Sequence, residues 1–207
     1  MTIAVITDAQ LREAFLLKPQ PPNAHICFVA TPGQLPKDAA VIIDLLFTAS
    51  AERILQLQSF LPRPVLVNSV TDRLATIGQP FIRINAWPTF FQRTQVEAVC
   101  LPEHEQQAAE VFAQLGWSYT LVPDIAGMLS ARILACIINE AFFTLAEGIS
   151  TKEGIDTAMK LGTNYPYGPF EWAEKIGLNK IHDLLSALSK ENILYNPCPL
   201  LSDAIFV

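Results

Sequence analysis

Short apolar runs alternate with helical patterns through the first half of the chain. The strand-like runs lie at residues 3–6, 25–30, 40–46, 65–68, 81–86 and 96–100. Helical spacing of apolar residues covers residues 10–17, 50–61 and 103–115. The run at 40–46 is almost continuously apolar, which is typical of a parallel strand covered on both faces. This alternation predicts an α/β layer built on a parallel sheet.

After Pro123 the strand pattern disappears and the spacing predicts helices. Residues 127–161 predict a long apolar helix, a capped turn and a second helix. Gly148 stands where a helix stop needs a left-handed residue. Ser150 and Glu153 have the spacing of a capping box, which starts the second helix.

Proline and glycine signals separate the helices that follow. Gly162 is expected to end the second helix. Residues 165–169 predict a rigid loop, because its two prolines restrict the backbone of their neighbours. Pro169 suits the first position of a short helix over 170–176 that stops at Gly177.

The last part of the chain predicts a further helix over residues 180–188 and an extended apolar tail over 195–201. The change from strand to helix periodicity places a domain boundary near Pro123. We therefore expect an α/β domain over residues 1–122 and an all-α domain over 123–207. No internal repeat or low-complexity segment is visible.

Composition and charge exclude several classes of protein. The chain has 207 residues and a net charge of −6, which argues against an electrostatic nucleic-acid binder. No apolar run approaches the roughly 18–20 residues that span a bilayer, and the amino terminus has no signal-peptide pattern. The four cysteines are scattered without a CxxC pair, so neither a metal site nor a disulfide framework is predicted. We expect a cytoplasmic protein with reduced thiols and no membrane partner.

Three segments of the second half carry a family resemblance. They are INEAFFTLAEGISTKEGIDTAMKLG, YPYGPFEWAEKIGL and NPCPLL. In order and spacing they resemble the carboxy-terminal domain of the 3-hydroxyacyl-CoA dehydrogenase family. In the first half, DAAVIIDLLFTASAERILQLQSFL resembles the fourth strand and following helix of that family's nucleotide-binding domain, and VEAV resembles the strand after its active-site turn. The resemblance implies a reduced Rossmann-like sheet domain followed by a helical dimerisation domain.

The resemblance also implies positions for the catalytic residues. The family's dehydrogenases use a histidine as general base, held by a glutamate twelve positions later, and these positions are Asn85 and Glu97 here. The serine that contacts the substrate hydroxyl corresponds to Asp72, and an asparagine near the start of the long helix corresponds to Ala131. Hydride transfer from a hydroxyl carbon needs a base to take the hydroxyl proton. An amide cannot serve, so only the glutamate is retained.

The nucleotide-binding signal is also incomplete. A dinucleotide site of this type needs a glycine-rich turn after the first strand, so that the backbone can approach the pyrophosphate. Residues 7–12 contain no glycine, and Asp8 would place a negative charge beside the phosphates. Residues 29–32, at the end of the second strand, lack the acidic residue that usually binds the adenosine ribose. We therefore expect no cofactor, although the resemblance itself implies NAD.

Two interpretations stay open. In the first, the chain is an NAD-dependent 3-hydroxyacyl-CoA dehydrogenase with an atypical site. In the second, it is a binding or accessory relative that keeps the fold and an acyl-CoA groove without redox activity. The missing glycine turn and histidine favour the second.

Three histidines and three lysines are the other candidate bases. His25, His104 and His182 are expected to be structural or solvated. A different β-hydroxyacid dehydrogenase type would use a lysine of the helical half as base. The candidates are Lys152, Lys160 and Lys175, and they lie at capping or exposed positions.

The long helix predicts assembly. Its apolar residues between 129 and 145 cover more than one helical stripe, so we expect burial on two sides. The family's helical domains pair through such surfaces, which implies a symmetric homodimer. The acyl chain that would bind is left open.

Overall fold

The computed structural model describes residues 1–205. Over these residues seven strands form one sheet in the order β2-β1-β3-β4-β5-β6-β7. The strands are β1 (Thr2–Ile6), β2 (His25–Val29), β3 (Val41–Asp44), β4 (Val65–Asn68), β5 (Ile82–Ile84), β6 (Gln95–Val99) and β7 (Ser118–Leu121). Neighbouring strands are parallel except for β5 and β6, which are antiparallel. The predicted α/β architecture with a mostly parallel sheet is confirmed.

The chain divides into two compact units. The first, Met1–Met128, contains the sheet and is called the sheet unit; the second begins at Leu129 and is called the helical unit. The sequence pattern places the boundary a few residues earlier, near Pro123.

Helices cover both faces of the sheet. They are α1 (Ala9–Leu16), α2 (Ala51–Gln58), α3 (Leu74–Ile77) and α4 (Glu105–Leu115). One apolar cluster contains Phe15 of α1 and Phe112 of α4, and the other contains Leu57 of α2. Successive residues of β1 enter opposite clusters, with Val5 in the first and Ala4 in the second. The central strands are therefore buried on both faces, which explains their continuous apolar runs.

The strand order creates a switch point beside β1. The chain runs from β1 to β2 on one side and returns to β3 on the other. In doubly wound sheets a ligand crevice forms outside the carboxyl ends of strands at such a point. In this chain those ends are Ile6, Val29 and Asp44.

The sheet unit contains features that the sequence pattern does not predict. β7 is a strand at the sheet edge whose side chains are mostly exposed, so it has no apolar run. α3 has four residues, which is too short for helical periodicity, and it ends at Gly78 in the left-handed conformation. β6 is antiparallel to β5 because the chain turns back through residues 85–94 instead of crossing over through a helix.

The described part of the helical unit is built from helices. They are α5 (Ser130–Ala146), α6 (Lys152–Thr163), α7 (Pro169–Ile176), α8 (Leu178–Ser189) and α9 (Pro199–Asp203). As predicted, α7 begins at Pro169 and stops at Gly177, which has a φ of 100°. Gly148 also has the positive φ of a helix stop, 70°. Phe206 and Val207, which end the predicted helical domain, lie outside the described residues.

Both ends of α6 differ from the predicted caps. The N-cap is Thr151 rather than Ser150, and its hydroxyl accepts a hydrogen bond from the Gly154 amide at 3.2 Å. The helix continues through Gly162 and ends at Asn164, which adopts a left-handed conformation with a φ of 56°. Asparagine tolerates this conformation better than most residues with a Cβ, so it takes the place of the predicted glycine stop.

The prediction of an extended tail is wrong. Ile193–Tyr195 forms a 3-10 turn, and α9 follows after Cys198. Pro199 suits the first position of α9, where its missing amide costs no helical hydrogen bond. Cys198 and Leu201 are fully buried, and α9 packs against α5 and α8. The apolar end of the tail is therefore part of the core of the helical unit.

α5 is covered on one face within this chain. Ile138 and Phe142 are buried, whereas Leu129 and Ile133, one turn apart, are 56% and 52% exposed. Burial on a second side would require a cover from outside the chain. That expectation stays a prediction.

Candidate functional site

A crevice lies at the carboxyl ends of β1 and β2, beside the start of α1. Its volume is about 540 Å³, and its walls include Thr7, Asp8, Arg12, Phe28 and Gln34. This is the region in which the sequence resemblance places a dinucleotide.

Asp8 closes the helix end that faces this crevice. Its Oδ1 accepts a hydrogen bond from the Leu11 amide at 2.8 Å, so the side chain caps α1. Helix amino termini bind phosphates through such amides and through the positive end of the helix dipole. Here the carboxylate already occupies that position, and a pyrophosphate would meet its negative charge. These residues do not match what a dinucleotide pyrophosphate requires.

The end of β2 is closed by internal hydrogen bonds. The Gln34 side-chain oxygen accepts from the amides of Ala30 at 3.0 Å and Thr31 at 3.3 Å. Arg12 of α1 contributes a positive charge to the wall of the crevice. Its guanidinium lies over the Phe28 ring, 4.4 Å from the ring centroid. Arg12 is exposed, and its donors can reach an anion in the crevice.

The structure brings Asn85 and Glu97 together. Asn85 follows β5, and Glu97 lies in β6. The backbone amide of Asn85 donates to the backbone carbonyl of Glu97 at 3.1 Å. The Asn85 Nδ2 atom donates to Glu97 Oε2 at 3.3 Å, and the Asn85 Oδ1 atom accepts from the Trp87 amide at 3.3 Å. Asn85 is 2% exposed. The position that the sequence resemblance assigns to the base therefore holds an amide, which links two strands and exchanges no proton at neutral pH.

Asn68 completes this edge of the sheet, although it is not among the residues that the sequence predicts for the site. It ends β4, where its Nδ2 donates to the Leu45 carbonyl at 3.0 Å and its Oδ1 accepts from the Ala86 amide at 3.0 Å. It thereby ties the ends of β3, β4 and β5 together. A polar amide that ends an apolar run is the signal that identifies such a residue.

Asp72 lies in the loop after β4 and is half-buried. Its carbonyl accepts from the Ser69 hydroxyl at 3.0 Å, and its negative charge acts on Arg83. Within residues 1–205, no hydrogen bond joins Asp72 to Asn85. Hydrogen bonds therefore join Asn85 to Glu97 and leave Asp72 outside that pair.

Arg83 is a buried cation that the apolar pattern of β5 hides. Its Nε donates to the Ser69 carbonyl at 2.9 Å and its Nη2 to the Val70 carbonyl at 3.0 Å, and it forms an ion pair with Asp124. Asp124 also accepts from the Leu74 amide at 3.0 Å, at the start of α3. Burial lowers the pKa of Arg83, and the Asp124 carboxylate opposes this shift. Arg83 thus joins β5, the loop after β4 and the segment after β7.

A second buried ion pair lies at the end of β3. Asp44 accepts two hydrogen bonds from Arg53, from Nε at 2.7 Å and from Nη2 at 2.6 Å. Burial raises the pKa of the Asp44 carboxyl, and Arg53 opposes this shift. The pair joins α2 to β3, and each charge is balanced by the other within the chain.

The three histidines considered as alternative bases are exposed or half-buried, and within residues 1–205 the His104 Nδ1 atom has no hydrogen-bond partner. His25 is exposed at the start of β2, and His104 is half-buried before α4. His182 is half-buried in α8, with its Nδ1 3.8 Å from an oxygen of the neighbouring Asp183. None of the three is hydrogen-bonded to Glu97 in the way an orienting carboxylate holds an imidazole.

The candidate lysines lie in the helical unit. Lys160 pairs with Glu171 at 2.5 Å. The Lys175 ammonium lies over the Tyr167 ring at 4.6 Å. The Lys152 ammonium lies near the Phe170 ring at 5.7 Å.

Residues 1–205 contain no cluster of His, Cys, Asp and Glu that could hold a metal ion. In the same range, every helix is too short or too polar to cross a membrane. The four cysteines are unpaired thiols.

Comparisons with known proteins match the helical unit most closely. The model of the family described as 3-hydroxyacyl-CoA dehydrogenase, C-terminal domain, matches residues 127–205. A 3-hydroxyadipyl-CoA dehydrogenase of Escherichia coli is 41% identical over 98 residues, which are 46% of this chain and 21% of that protein. A 3-hydroxybutyryl-CoA dehydrogenase of Bradyrhizobium diazoefficiens is 40% identical over 98 residues, 46% of this chain and 33% of that protein.

Over residues 127–205 the helical unit is thus similar to the carboxy-terminal domain of the 3-hydroxyacyl-CoA dehydrogenase family. This chain spans about a fifth to a third of the length of these two relatives. A solved (S)-3-hydroxybutyryl-CoA dehydrogenase of Ralstonia eutropha has a TM-score of 0.73 and 20% identity, and the match covers 99% of this chain and 93% of that one. At this identity the similarity shows only that the sheet unit has the same fold as that protein.

Two segments that carry the 3-hydroxyacyl-CoA dehydrogenase resemblance clamp each other. Asp156 of GIDTAMKLG accepts hydrogen bonds from the amides of Phe170 at 2.8 Å and Glu171 at 3.3 Å. A Cβ atom at Gly168 would overlap the Asp156 carboxylate. The Gly168 amide also donates to Glu171 Oε2 at 2.9 Å. The glycine of YPYGPF is therefore required by the packing at the start of α7.

The INEAFF and NPCPLL segments are also joined by hydrogen bonds. Asn139 of INEAFF accepts from the Cys198 amide at 2.8 Å and donates from Nδ2 to the Asn196 carbonyl at 2.9 Å. Arg132 Nη2 donates to the Tyr195 hydroxyl at 2.8 Å. These contacts fasten NPCPLL to α5, so the family motifs of the helical unit are explained by folding contacts.

Proposed function

We propose that this chain is a 3-hydroxyacyl-CoA dehydrogenase relative without NAD-dependent redox activity, which serves acyl-CoA metabolism as a binding or accessory protein. The observation that carries the proposal is the hydrogen-bonded pair of Asn85, which is buried, and Glu97, which is half-buried. Both polar atoms of the Asn85 side chain are hydrogen-bonded within the chain.

Asn85 cannot take up the proton that the oxidation releases. Oxidation of a 3-hydroxyl group requires removal of its proton as the hydride leaves. The Asn85 amide accepts no proton at neutral pH, and Glu97 has no imidazole to orient. Loss of a general base lowers the rate by about 10²–10⁴-fold.

The crevice beside α1 does not suit a dinucleotide. Asp8 caps α1 where a pyrophosphate would bind, and residues 7–12 lack the glycine that close backbone approach needs. Residues 29–32, at the end of β2, include no carboxylate for a ribose, and Gln34 accepts hydrogen bonds from the backbone amides of Ala30 and Thr31. Tight binding of NAD is therefore not expected.

Titration calorimetry with NADH and an assay of acetoacetyl-CoA reduction test the proposal. We expect no micromolar binding and a turnover far below about one per second, the lower end of the usual enzyme range. Micromolar binding with turnover in that range would overturn it. The chain would then be an NAD-dependent dehydrogenase with an atypical site, an alternative that the open crevice beside Arg12 favours.

Two variants separate the two losses. Asn85→His restores the base beside Glu97, and we expect it to stay inactive because Asp8 still caps α1. Asp8→Gly combined with Asn85→His removes both obstacles and is the informative partner variant. Turnover recovered by Asn85→His alone would contradict the cofactor argument while leaving the role of Asn85 intact.

A binding role also makes predictions about partners. Acyl-CoA should bind in the absence of NAD, which calorimetry with acetyl-CoA and longer acyl-CoA thioesters measures. Absence of binding for every chain length would contradict the acyl-CoA part of the proposal.

We further propose that helical units pair into a symmetric homodimer. Leu129 and Ile133 are 56% and 52% exposed on one face of α5, and buried apolar area contributes about 25 cal/mol per Å². Sedimentation at micromolar concentration should give a dimer, and Ile133→Glu should shift it toward monomer. A monomeric wild type, or a mass unchanged by Ile133→Glu, would contradict this face.

A further inference from the structure

A small cavity in the helical unit combines an apolar floor with opposite charges at its edge. Its volume is about 250 Å³, and it is lined by residues of α5, α6, α7 and the start of α8. Lys152 of α6, one of the lysines considered as a base, contributes to its lining.

The floor is formed by two aromatic rings. Phe142 and Phe170 are 3% and 6% exposed, and their rings meet edge to face with centroids 5.0 Å apart. Ala173 adds only a methyl group to the wall. A Cβ atom at Gly177, between α7 and α8, would meet no other atom within 4 Å. The methyl group of Ala173 and the absence of a side chain at Gly177 leave the space above the rings open.

The edge carries one charge of each sign. Lys152 is the first residue of α6, and Glu174 lies in α7; both are exposed. Within residues 1–205 neither forms an ion pair, whereas their neighbours Lys160 and Glu171 pair at 2.5 Å. Both charges can therefore bind a ligand.

We infer that this cavity binds a small zwitterion with an apolar body, an apolar α-amino acid, whose carboxylate lies on Lys152, whose ammonium lies on Glu174 and whose side chain rests on Phe142 and Phe170. A simple carboxylate would be repelled by Glu174, and a simple amine would be repelled by Lys152. A ligand with both charges satisfies both residues. The volume lies just below the roughly 300–1,000 Å³ of sites for drug-sized ligands, which suits a ligand of amino-acid size.

This site involves no redox step, no nucleotide and no residue of the crevice or of the Asn85–Glu97 pair. Its failure would leave the proposed function unaffected, and the reverse holds as well.

Titration of the full chain with three matched probes tests the inference, with chemical shifts of the Phe142 and Phe170 rings as the signal. L-phenylalanine carries both charges, 3-phenylpropionate only the carboxylate and phenethylamine only the ammonium. We expect saturable binding of L-phenylalanine and about fivefold weaker binding of each single-charge probe, since an exposed ion pair contributes up to about 1 kcal/mol. Equal affinity for all three probes would reduce the site to an apolar hole and overturn the inference.

Variants assign each charge. Lys152→Met should weaken L-phenylalanine and 3-phenylpropionate but not phenethylamine, and Glu174→Gln should weaken L-phenylalanine and phenethylamine but not 3-phenylpropionate. Lys175→Met, a lysine of α7 that lies over Tyr167, is the control that should change nothing. Ala173→Met should block all binding by filling the cavity. Absence of L-phenylalanine binding to the wild type, or binding that survives Ala173→Met in a folded protein, would overturn the inference.

Discussion

The helical unit and the sheet unit retain different parts of what the family resemblance implies. In the helical unit, Asn139, Asp156 and Gly168 occupy motif positions, and each holds another motif segment in place. In the sheet unit, Asp8 and Asn85 lie where the resemblance implies the glycine turn and the base. Both units share the fold of the solved dehydrogenase. The motif residues of the helical unit have folding roles, whereas Glu97 is the one catalytic position of the sheet unit that keeps the residue implied by the resemblance.

This difference has a physical reason. A clamp such as Asp156 with Gly168 joins two distant segments, so changing one partner leaves the other unsatisfied or overlapping. A catalytic base contributes little to packing, and an amide can replace it and still bond to Glu97. The motif match in the helical unit is therefore evidence for shared packing. Catalytic activity depends on the residues of the sheet unit.

The largest expected effect concerns Arg83, a buried residue that joins distant segments of the sheet unit. Arg83→Met removes a buried cation that holds two carbonyls and Asp124. Breaking one side of such a buried pair typically costs about 3–5 kcal/mol, and we expect the free energy of unfolding to fall by that amount in urea titrations. Arg12→Met, at an exposed arginine, is the control and should stay within about 0.5 kcal/mol. A loss below about 1 kcal/mol for Arg83→Met would show that Asp124 and the carbonyls find other partners.

The next prediction separates the units by pH. Lys18 is buried in the sheet unit, where its Nζ donates to the Arg93 carbonyl at 2.5 Å and lies near the Phe91 and Trp117 rings. Burial lowers the pKa of Lys18 to about 8. The native state therefore binds fewer protons than the unfolded state between about pH 8 and 10.5. The cost of burying the charge is fully present below pH 8 and is relieved as the pH rises.

We therefore expect the free energy of unfolding to gain up to about 3 kcal/mol from Lys18 between these pH values. Urea titrations at several pH values measure the gain, and Lys18→Met is the matched control because tyrosines, cysteines and the other lysines titrate equally in both proteins. Parallel pH profiles for the wild type and Lys18→Met would contradict the prediction.

A smaller effect tests the glycine clamp of the helical unit. Gly168→Ala forces a Cβ atom into the Asp156 carboxylate, and overpacking of this kind costs about 1–3 kcal/mol. Gly162→Ala is the matched control, because a Cβ atom there meets nothing and the position is helical. The control should be neutral or up to about 1 kcal/mol more stable. Equal stability of both variants would remove the packing explanation for the YPYGPF motif.

The smallest effect tests the clamp between α5 and the tail. Asn139→Ala removes two hydrogen bonds, one of them to the buried Cys198 amide, and we expect a loss of about 2 kcal/mol. Amide hydrogen exchange should speed up at Cys198 and in α9 before it does elsewhere in the helical unit. Glu140→Ala, at the exposed neighbouring position, should leave that exchange unchanged. Uniform acceleration over the whole unit would mean that Asn139 supports α5 rather than the tail.

Local properties of this protein follow from the sequence alone. The apolar run at residues 65–68 coincides with β4, and Pro169 and Gly177 bound α7 as their backbone preferences require. The absence of a glycine at residues 7–12 and of a histidine at Asn85 is equally visible, because it is a matter of residue identity. These features depend on neighbours within one turn or one strand, so local pattern suffices.

The partners of the polar side chains were decided by tertiary structure. Asn139 meets Cys198 across 59 positions, and Arg83 meets Asp124 across 41. The periodicity of α5 and β5 carries no trace of either contact. Likewise, the choice of Thr151 over Ser150 as a cap, and of a helix for residues 199–203, depends on how α6 and the tail pack. Hydrophobic periodicity determines which segments become helices and strands, whereas a buried polar group takes whatever partner the packed elements bring within hydrogen-bond distance.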